Sequence, residues 1–353
     1  MYYIAFFVFS LNILIYLLEM EFKLNNRAVN FIFIILFTLL ASFVSYNIYD
    51  LSRDVVAYEY WMKVISNTHI SVMLFEKDPL FQIIVYLIQF FNNSIFFIYF
   101  IFVFLILSFK YKFSELILNR YNALILFWLI FAQTFTLYEV TQIRAGLAIS
   151  LASYAIISYF SDSNRNKFSI LLLFLSCFIH ASLTVLVIFF VVANLLRNII
   201  LNRVFVIITL FSSLIFGFIF KTYLQNYINL KFSDNDRFED YLNKNADDLS
   251  LFSVFLLMKI LMIFLNTVFW RELNQSKKLF VLLSAIGCSL QIMFNFNAVL
   301  GLRFSEVFIL FSLATFIFPL EYKSWDKGMK SLYFLLLIVL SFMFFYSSNK
   351  ILL

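Results

Sequence analysis

The sequence is poor in the residues that make turns, covalent staples and soluble surfaces. Of 353 residues only 5 are glycine and 2 proline, too few for the tight turns that a β-barrel of this size demands. The two cysteines, Cys177 and Cys288, both sit in apolar runs. They exclude a disulfide framework or zinc ribbon and read as packed core thiols. Two histidines, His69 and His180, cannot build a poly-His metal centre. Charged residues make up 13%, about half the share usual in a soluble domain. P-loop, G-x-G-x-x-G, HExxH and G-x-S-x-G patterns are all missing, which argues against nucleotide-driven transport and metalloprotease chemistry. No metal or cofactor is expected.

What is abundant is hydrocarbon. Hydrophobic residues reach 63%, with 51 phenylalanines, and the mean hydropathy is +0.94. A single soluble core has no room for this much apolar surface. The chain reads as an all-α polytopic membrane protein, one integral membrane domain over 1–353. Spans are expected near 2–18, 28–49, 94–109, 121–138, 142–160, 204–220, 251–270, 279–297, 303–320 and 331–347, about ten full crossings. The start, Met1-Tyr2-Tyr3-Ile4, lacks a basic region and a cleavage site and reads as an uncleaved first helix.

Two stretches break the pattern. Residues 79–91 are apolar but too short to cross, and open at Asp78-Pro79, a favourable helix start. Residues 168–196 carry His180, Ser182 and Thr184 near their middle. The first is expected to be an interfacial or re-entrant helix and the second a helix broken near His180, giving 10–12 helices in all.

Charge then orients the chain. Segments 19–27, 110–120, 161–167, 197–203, 271–278 and 321–330 hold 15 of the 26 Lys and Arg but only 7 of the 20 Asp and Glu. The positive-inside rule makes these cytoplasmic. Loops 50–78 and 221–250 fall outside, and Lys259 remains within a span. The acidic outer loop contains Asp234-Asn235-Asp236, a spacing that chance readily supplies and weak support for a divalent metal.

An ionisable group held in hydrocarbon costs about 2.5–3.5 kcal/mol on insertion scales, so each is a functional candidate. Asp50-Leu51-Ser52-Arg53-Asp54, followed by Tyr58 and Tyr60, mixes a cation, carboxylates and aromatics at one membrane face, although a solvated loop start would look similar. In Tyr138-Glu139-Val140-Thr141-Gln142-Ile143-Arg144-Ala145-Gly146, Glu139 and Gln142 share a face if the segment is α-helical from Glu139. The small residues that follow allow close helix approach; the bland alternative is an arginine snorkelling to lipid phosphate. His180 is either a bonded core residue or a catalytic one at the helix break. Arg303 and Glu306, one turn apart, either neutralise each other or face a ligand. Lys259 reads as structural, paired to a neighbouring helix.

In order, Arg53-Asp54 followed by tyrosines, Asp78-Pro79-Leu80-Phe81, Gln142-Ile143-Arg144-Ala145-Gly146-Leu147-Ala148, Ile179-His180-Ala181-Ser182 and a late Arg303 resemble the bacterial polysaccharide polymerases of the Wzy type, most closely their EpsG-like branch. The resemblance covers about residues 45–310. Asp78 stands where that family commonly has Glu, and Ala145 where Gln is frequent.

The resemblance implies a multi-pass enzyme of the bacterial inner membrane, its site facing the periplasm, with loops 50–78 and 221–250 on that side; a GT-C-like architecture is compatible. Such an enzyme transfers a growing glycan from undecaprenyl diphosphate to a lipid-linked repeat unit. Its expected partners are those lipid-linked oligosaccharides, membrane lipids, a chain-length regulator and a flippase, with no nucleic acid. Arginine binds diphosphate through a planar fork, which assigns Arg144 and Arg303 to it, with Arg53 third. The acceptor hydroxyl needs a base. Histidine as a residue type titrates near neutrality, which ranks His180 first, Glu139 second and Asp54 third. Gln142, Tyr58, Asp78 and Glu306 are the remaining substrate-binding candidates. A composition rich in Phe, Ile, Asn and Lys tilts the product toward an O antigen. Two other classes compete, a lipid-linked oligosaccharide flippase and a membrane acyltransferase that decorates surface glycans. The missing repeats and scarce Gly and Pro argue against the first, and polar clusters on the outer side against the second.

Overall fold

The structure, a computed structural model, describes residues 26–161, 166–196, 201–231 and 253–349. It is 86% helical and has no strand among the described residues, which makes the chain an all-α polytopic membrane protein. Seven helices among these residues are long and apolar enough to cross a membrane, and four shorter apolar helices accompany them. Hydrocarbon offers the backbone no hydrogen-bond partner, so each apolar run closes its own ladder as a helix. The expected span 2–18 and residues 232–250 of the expected outer loop lie outside the described residues.

The chain divides into two compact units, Met1–Leu183 with Ser331–Leu353, and Thr184–Lys330. The first unit contains α1 (Asn26–Tyr46), the short α2 (Ile48–Leu51), α3 (Val55–Asn67), α4 (Ile70–Met73), α5 (Pro79–Phe91), α6 (Ile95–Ile117) and α7 (Arg120–Thr134). A π-helical turn, Phe135–Thr141, extends α7 and leads into α8 (Ile143–Ser161) and α9 (Asn166–Ile179).

Helix α6 is central to this unit, packed on α1, α7 and α8. Phe33 of α1 stacks on Tyr111 of α6 at 4.3 Å, and Tyr111 meets Phe127 of α7 edge-on at 5.8 Å. Helix α8 presents buried Ala145, Ala148, Ala152 and Ala155, small side chains that let helices approach closely where hydrophobicity itself supplies no drive.

The second unit contains α10 (Leu183–Leu195), which begins at the boundary, then α11 (Arg203–Lys231), α12 (Val254–Val268), α13 (Gln275–Met293), α14 (Ala298–Glu306) and α15 (Ile309–Thr315). Side chains of Ser253, Asn274 and Asn297 cap α12, α13 and α14 by accepting backbone N–H bonds. Helix α13 lies among α11, α12, α14 and α15. A Cβ on Gly287 of α13 would stand 2.7 Å from the Phe308 side chain, so the glycine lets that ring drop against the helix. Asn266 of α12 donates to the Thr315 carbonyl at 3.0 Å and accepts from the Tyr322 hydroxyl at 2.8 Å. The last helix, α16 (Lys327–Asn349), belongs to the first unit from Ser331 onward, where Ser348 Oγ donates to the Ala132 carbonyl at 3.1 Å. Phe218 of α11 is 76% exposed and Leu332 of α16 72%, outward faces whose solvent is lipid.

Several expectations of detail change. The stretch 303–320 is not one helix but α14, α15 and a 3₁₀ turn, Phe318–Glu321; the break at Val307 seats Phe308 on Gly287, and Pro319 opens the tighter turn. Helix α11 runs through Lys231, so residues 221–231 are helical rather than loop. Lys110, counted above in a cytoplasmic loop, lies inside α6 with no solvent exposure. The two irregular stretches form as expected: α5 is short, and α9 stops just before His180. Cys288 is buried and Cys177 half-buried.

Candidate functional site

The site grows from the start of α5. Asp78 precedes Pro79, the first helical residue, and has φ 58°, the one positive φ at a non-glycine among the described residues. Aspartate tolerates this left-handed backbone better than most residues, yet such outliers persist only where their surroundings hold them. Gln82 supplies part of that hold by donating from Nε2 to the Lys77 carbonyl at 3.0 Å and to Glu76 Oε2 at 3.1 Å. An aspartate before a helix ordinarily caps it. The Asp78 side chain makes no cap bond. It is turned elsewhere.

Its partners come from two distant stretches of chain. Asp78 Oδ1 accepts from the Ala181 N–H at 2.9 Å, and Oδ2 lies 2.8 Å from Arg144 Nη1. His180 Nδ1 stands 3.8 Å from the same Oδ2, in ion-pair range but too far for a direct hydrogen bond. The Asp78 carboxyl is fully enclosed, while the Arg144 and His180 side chains keep 20% and 13% exposure. Burial by itself would raise the Asp78 pKa; the His180 ring, the Arg144 charge and the Ala181 N–H outweigh it and hold the carboxyl below its ordinary value. The centre is therefore a buried anion with a cation and an imidazole at its rim.

Aromatic rings brace the arginine. Its guanidinium lies 4.9 Å from the Trp61 ring centroid and 5.6 Å from that of Phe81. Tyr58, one turn before Trp61 on α3, belongs to the same wall, and burial pushes its phenol up to about 12 although Arg144 opposes the shift. It stays a neutral hydroxyl at any working pH. Tyr58, Trp61, Phe81 and Tyr99 line a void of about 10 Å³, room for one water.

The loop between α7 and α8 decides where Arg144 stands. Gln142 follows the π turn with non-helical backbone; its N–H donates to the Leu137 carbonyl at 2.6 Å and its carbonyl accepts from Gly146 at 2.9 Å. Glu139 and Gln142 therefore do not sit on one α-helical face as expected, because the turn between them is π and ends at Gln142. Glu139 is fully buried and ion-paired to Lys110 at 2.7 Å.

Of the residues singled out in the sequence, the fold brings together Asp78, Arg144 and His180, with Tyr58 in the wall behind. Gln142 is half-buried at the base of the Arg144 loop. Arg53 and Asp54 are exposed where α2 gives way to α3. Arg303 and Glu306 end α14 in the second unit, Arg303 exposed and Glu306 half-buried. Lys259 of α12 is buried with its Nζ 4.2 Å from the Phe255 ring and near Cys288 and Glu306. Sequence reasoning missed Trp61, Phe81 and Lys110. Trp61 follows Tyr58 on α3 by three residues, the helical spacing that shares a face.

Chemically, Arg144 offers an anion the donors that Asp78 leaves free, since a guanidinium carries five N–H groups in a fixed fork. His180 supplies a proton acceptor beside it. No group of three or more His, Cys, Asp or Glu converges among the described residues. No curated protein and no solved structure gives a match to the chain. A family model does match, over residues 30–351, nearly the whole chain and every element of this site. The chain that carries Asp78, Arg144 and His180 therefore belongs to the EpsG family, a family of Wzy-type polysaccharide polymerases.

Proposed function

We propose that this protein polymerises a surface polysaccharide at the outer face of the bacterial inner membrane, transferring a growing glycan from undecaprenyl diphosphate to a lipid-linked repeat unit. An O antigen is the preferred product. The observation that carries the reading is the meeting of Arg144 and His180 on the one buried carboxylate of Asp78, inside a chain of the EpsG family.

In the reaction the acceptor hydroxyl oxygen bonds to the anomeric carbon of the growing glycan, and the bond from that carbon to the diphosphate oxygen breaks. Negative charge builds on the diphosphate, which leaves with the undecaprenyl chain. Arg144, already fixed by Asp78, Trp61 and Phe81, stabilises that charge without reorganising. His180 takes the hydroxyl proton. Asp78 orients both groups and makes no contact with sugar. Asp54 is exposed and Glu139 is enclosed by Lys110, which keeps His180 first among the bases. Gln142 and Tyr58 support the arginine from below and behind. Arg303, with Glu306, remains a candidate for phosphate binding, and Arg53 another at the outer loop. The chain-length regulator and the flippase supply length control and substrate.

The test is reconstitution of the purified protein with its undecaprenyl-diphosphate repeat unit, products resolved as a ladder on a gel. The expected outcome is a ladder from the unmodified protein and none from a folded Arg144→Ala variant. A ladder from both discards the site. No ladder from the unmodified protein, given the repeat unit of its own locus, moves the reading to a flippase or an acyltransferase.

A further inference from the structure

The most enclosed charges of the first unit lie apart from Asp78. Lys110 and Glu139 are each fully buried and joined at 2.7 Å. Lys110 Nζ also donates to Thr134 Oγ1 at 2.5 Å and stands 5.3 Å from the Tyr138 ring centroid. Glu139 Oε2 has no hydrogen-bond partner. A buried ion pair is a poor source of stability, because desolvation consumes most of the attraction; its better use is to specify one arrangement against others. Glu139 lies in a π turn, a rare conformation that recurs at functional sites.

The arrangement so specified is the entry to α8. The pair tethers the π turn to α6. Tyr138, next to Glu139 and under Lys110, touches Gly146 so closely that a Cβ there would lie 2.7 Å from the Tyr138 carbonyl oxygen and 2.8 Å from its Cβ. Gln142 closes the loop by bonding back to Leu137 and forward to Gly146. Arg144 sits midway between Gln142 and Gly146. We propose that the Lys110–Glu139 pair is a positioning device for Arg144, locking the π turn against α6 so that the start of α8 aims the guanidinium at Asp78. Glu139 is then a positioning residue and not the base. The proposal rests on reading Arg144 as the diphosphate ligand only in one of its two tests.

Hydrogen–deuterium exchange on the full-length protein in nanodiscs, without substrate, tests the positioning alone. The neutral double variant Lys110→Met/Glu139→Gln is expected to melt near the unmodified protein yet exchange about tenfold faster over 142–147. Unchanged exchange in a folded double variant overturns the proposal. Should that variant fail to fold, Glu139→Asp keeps both charges and shortens only the reach; it should exchange at least about twofold faster over the same residues, and unchanged exchange there overturns the proposal equally.

Binding of undecaprenyl diphosphate tests the link to function. The double variant should bind about tenfold more weakly, and in an Arg144→Ala background the same double substitution should cost nothing further, since it acts only through that arginine. Losses that simply add overturn the link, because a general structural role would add. Should Arg144→Ala alone bind like the unmodified protein, the reading of Arg144 fails, while the exchange result still decides the positioning.

Discussion

At Asp78 a single side chain serves two functional groups, and its backbone angle and its charge can be separated by substitution. Asn tolerates the left-handed backbone as Asp does, so Asp78→Asn removes the charge and leaves the turn. It should melt with a loss of about 1–3 kcal/mol, the worth of a bond to a charged group, and lose polymer formation with a fall in kcat larger than any rise in KM. The pH dependence follows from the depressed pKa of this carboxyl. Its contribution is complete above the unfolded value of 3.8 and is lost as pH falls through the lower folded value. The melting difference between the unmodified protein and Asp78→Asn should therefore shrink as pH falls below about pH 4; a difference that grew there would remove Asp78 as the anion. For Arg144, lysine keeps charge but loses the planar fork and the stacking on Trp61. Arg144→Lys should lower kcat/KM by about 10²-fold, read in the same ladder assay.

Among the elements, the π turn is where local sequence and tertiary packing diverge. Nothing in Phe135–Thr141 forbids an ordinary α-helix; the extra residue in the turn is held by Lys110 from another helix. Removing one partner should be far worse than removing both. Lys110→Met leaves the Glu139 carboxylate buried and unpaired, an expected loss of about 3–5 kcal/mol, whereas the neutral pair should lie close to the unmodified protein. Thermal melting of these two variants beside the unmodified protein in detergent checks the order, and equal losses would argue that the pair is incidental. Both spans were legible as apolar runs, but the pairing was not. Lys110 looked like a loop residue because it opens the charged run Lys110-Tyr111-Lys112, and only α6 continuing to Ile117 turns it inward. The break at His180 was legible, because polar side chains gathered in the middle of an apolar run mark where the helical ladder can open and still find hydrogen-bond partners.

For the whole molecule, the bias of Lys and Arg toward alternate loops predicts an outward Asp78 face. Single cysteines placed at Glu76 and at Glu272, in a background lacking Cys177 and Cys288, should report this directly. The first should react with an impermeant maleimide in intact cells and the second only after permeabilisation. The reverse pattern would move the site to the cytoplasmic side.

The sequence by itself determined the solvent of this protein, its helical class and the approximate place of its spans, because hydrophobic runs, scarce turn residues and loop charge are properties of composition and order. It also picked out Arg144 and His180, because a polar group beside or within hydrocarbon needs a reason, and Asp78 through the helix start it opens and the motif it shares with the family it resembles. Only the tertiary structure decided that these three meet, that Glu139 turns away to Lys110, and that Trp61 and Phe81 brace the arginine. Asp78 and Ala181 are bonded across 103 residues of chain. Such a contact is set by how helices pack, through small-residue faces and a rare turn, and no local pattern of residues encodes it.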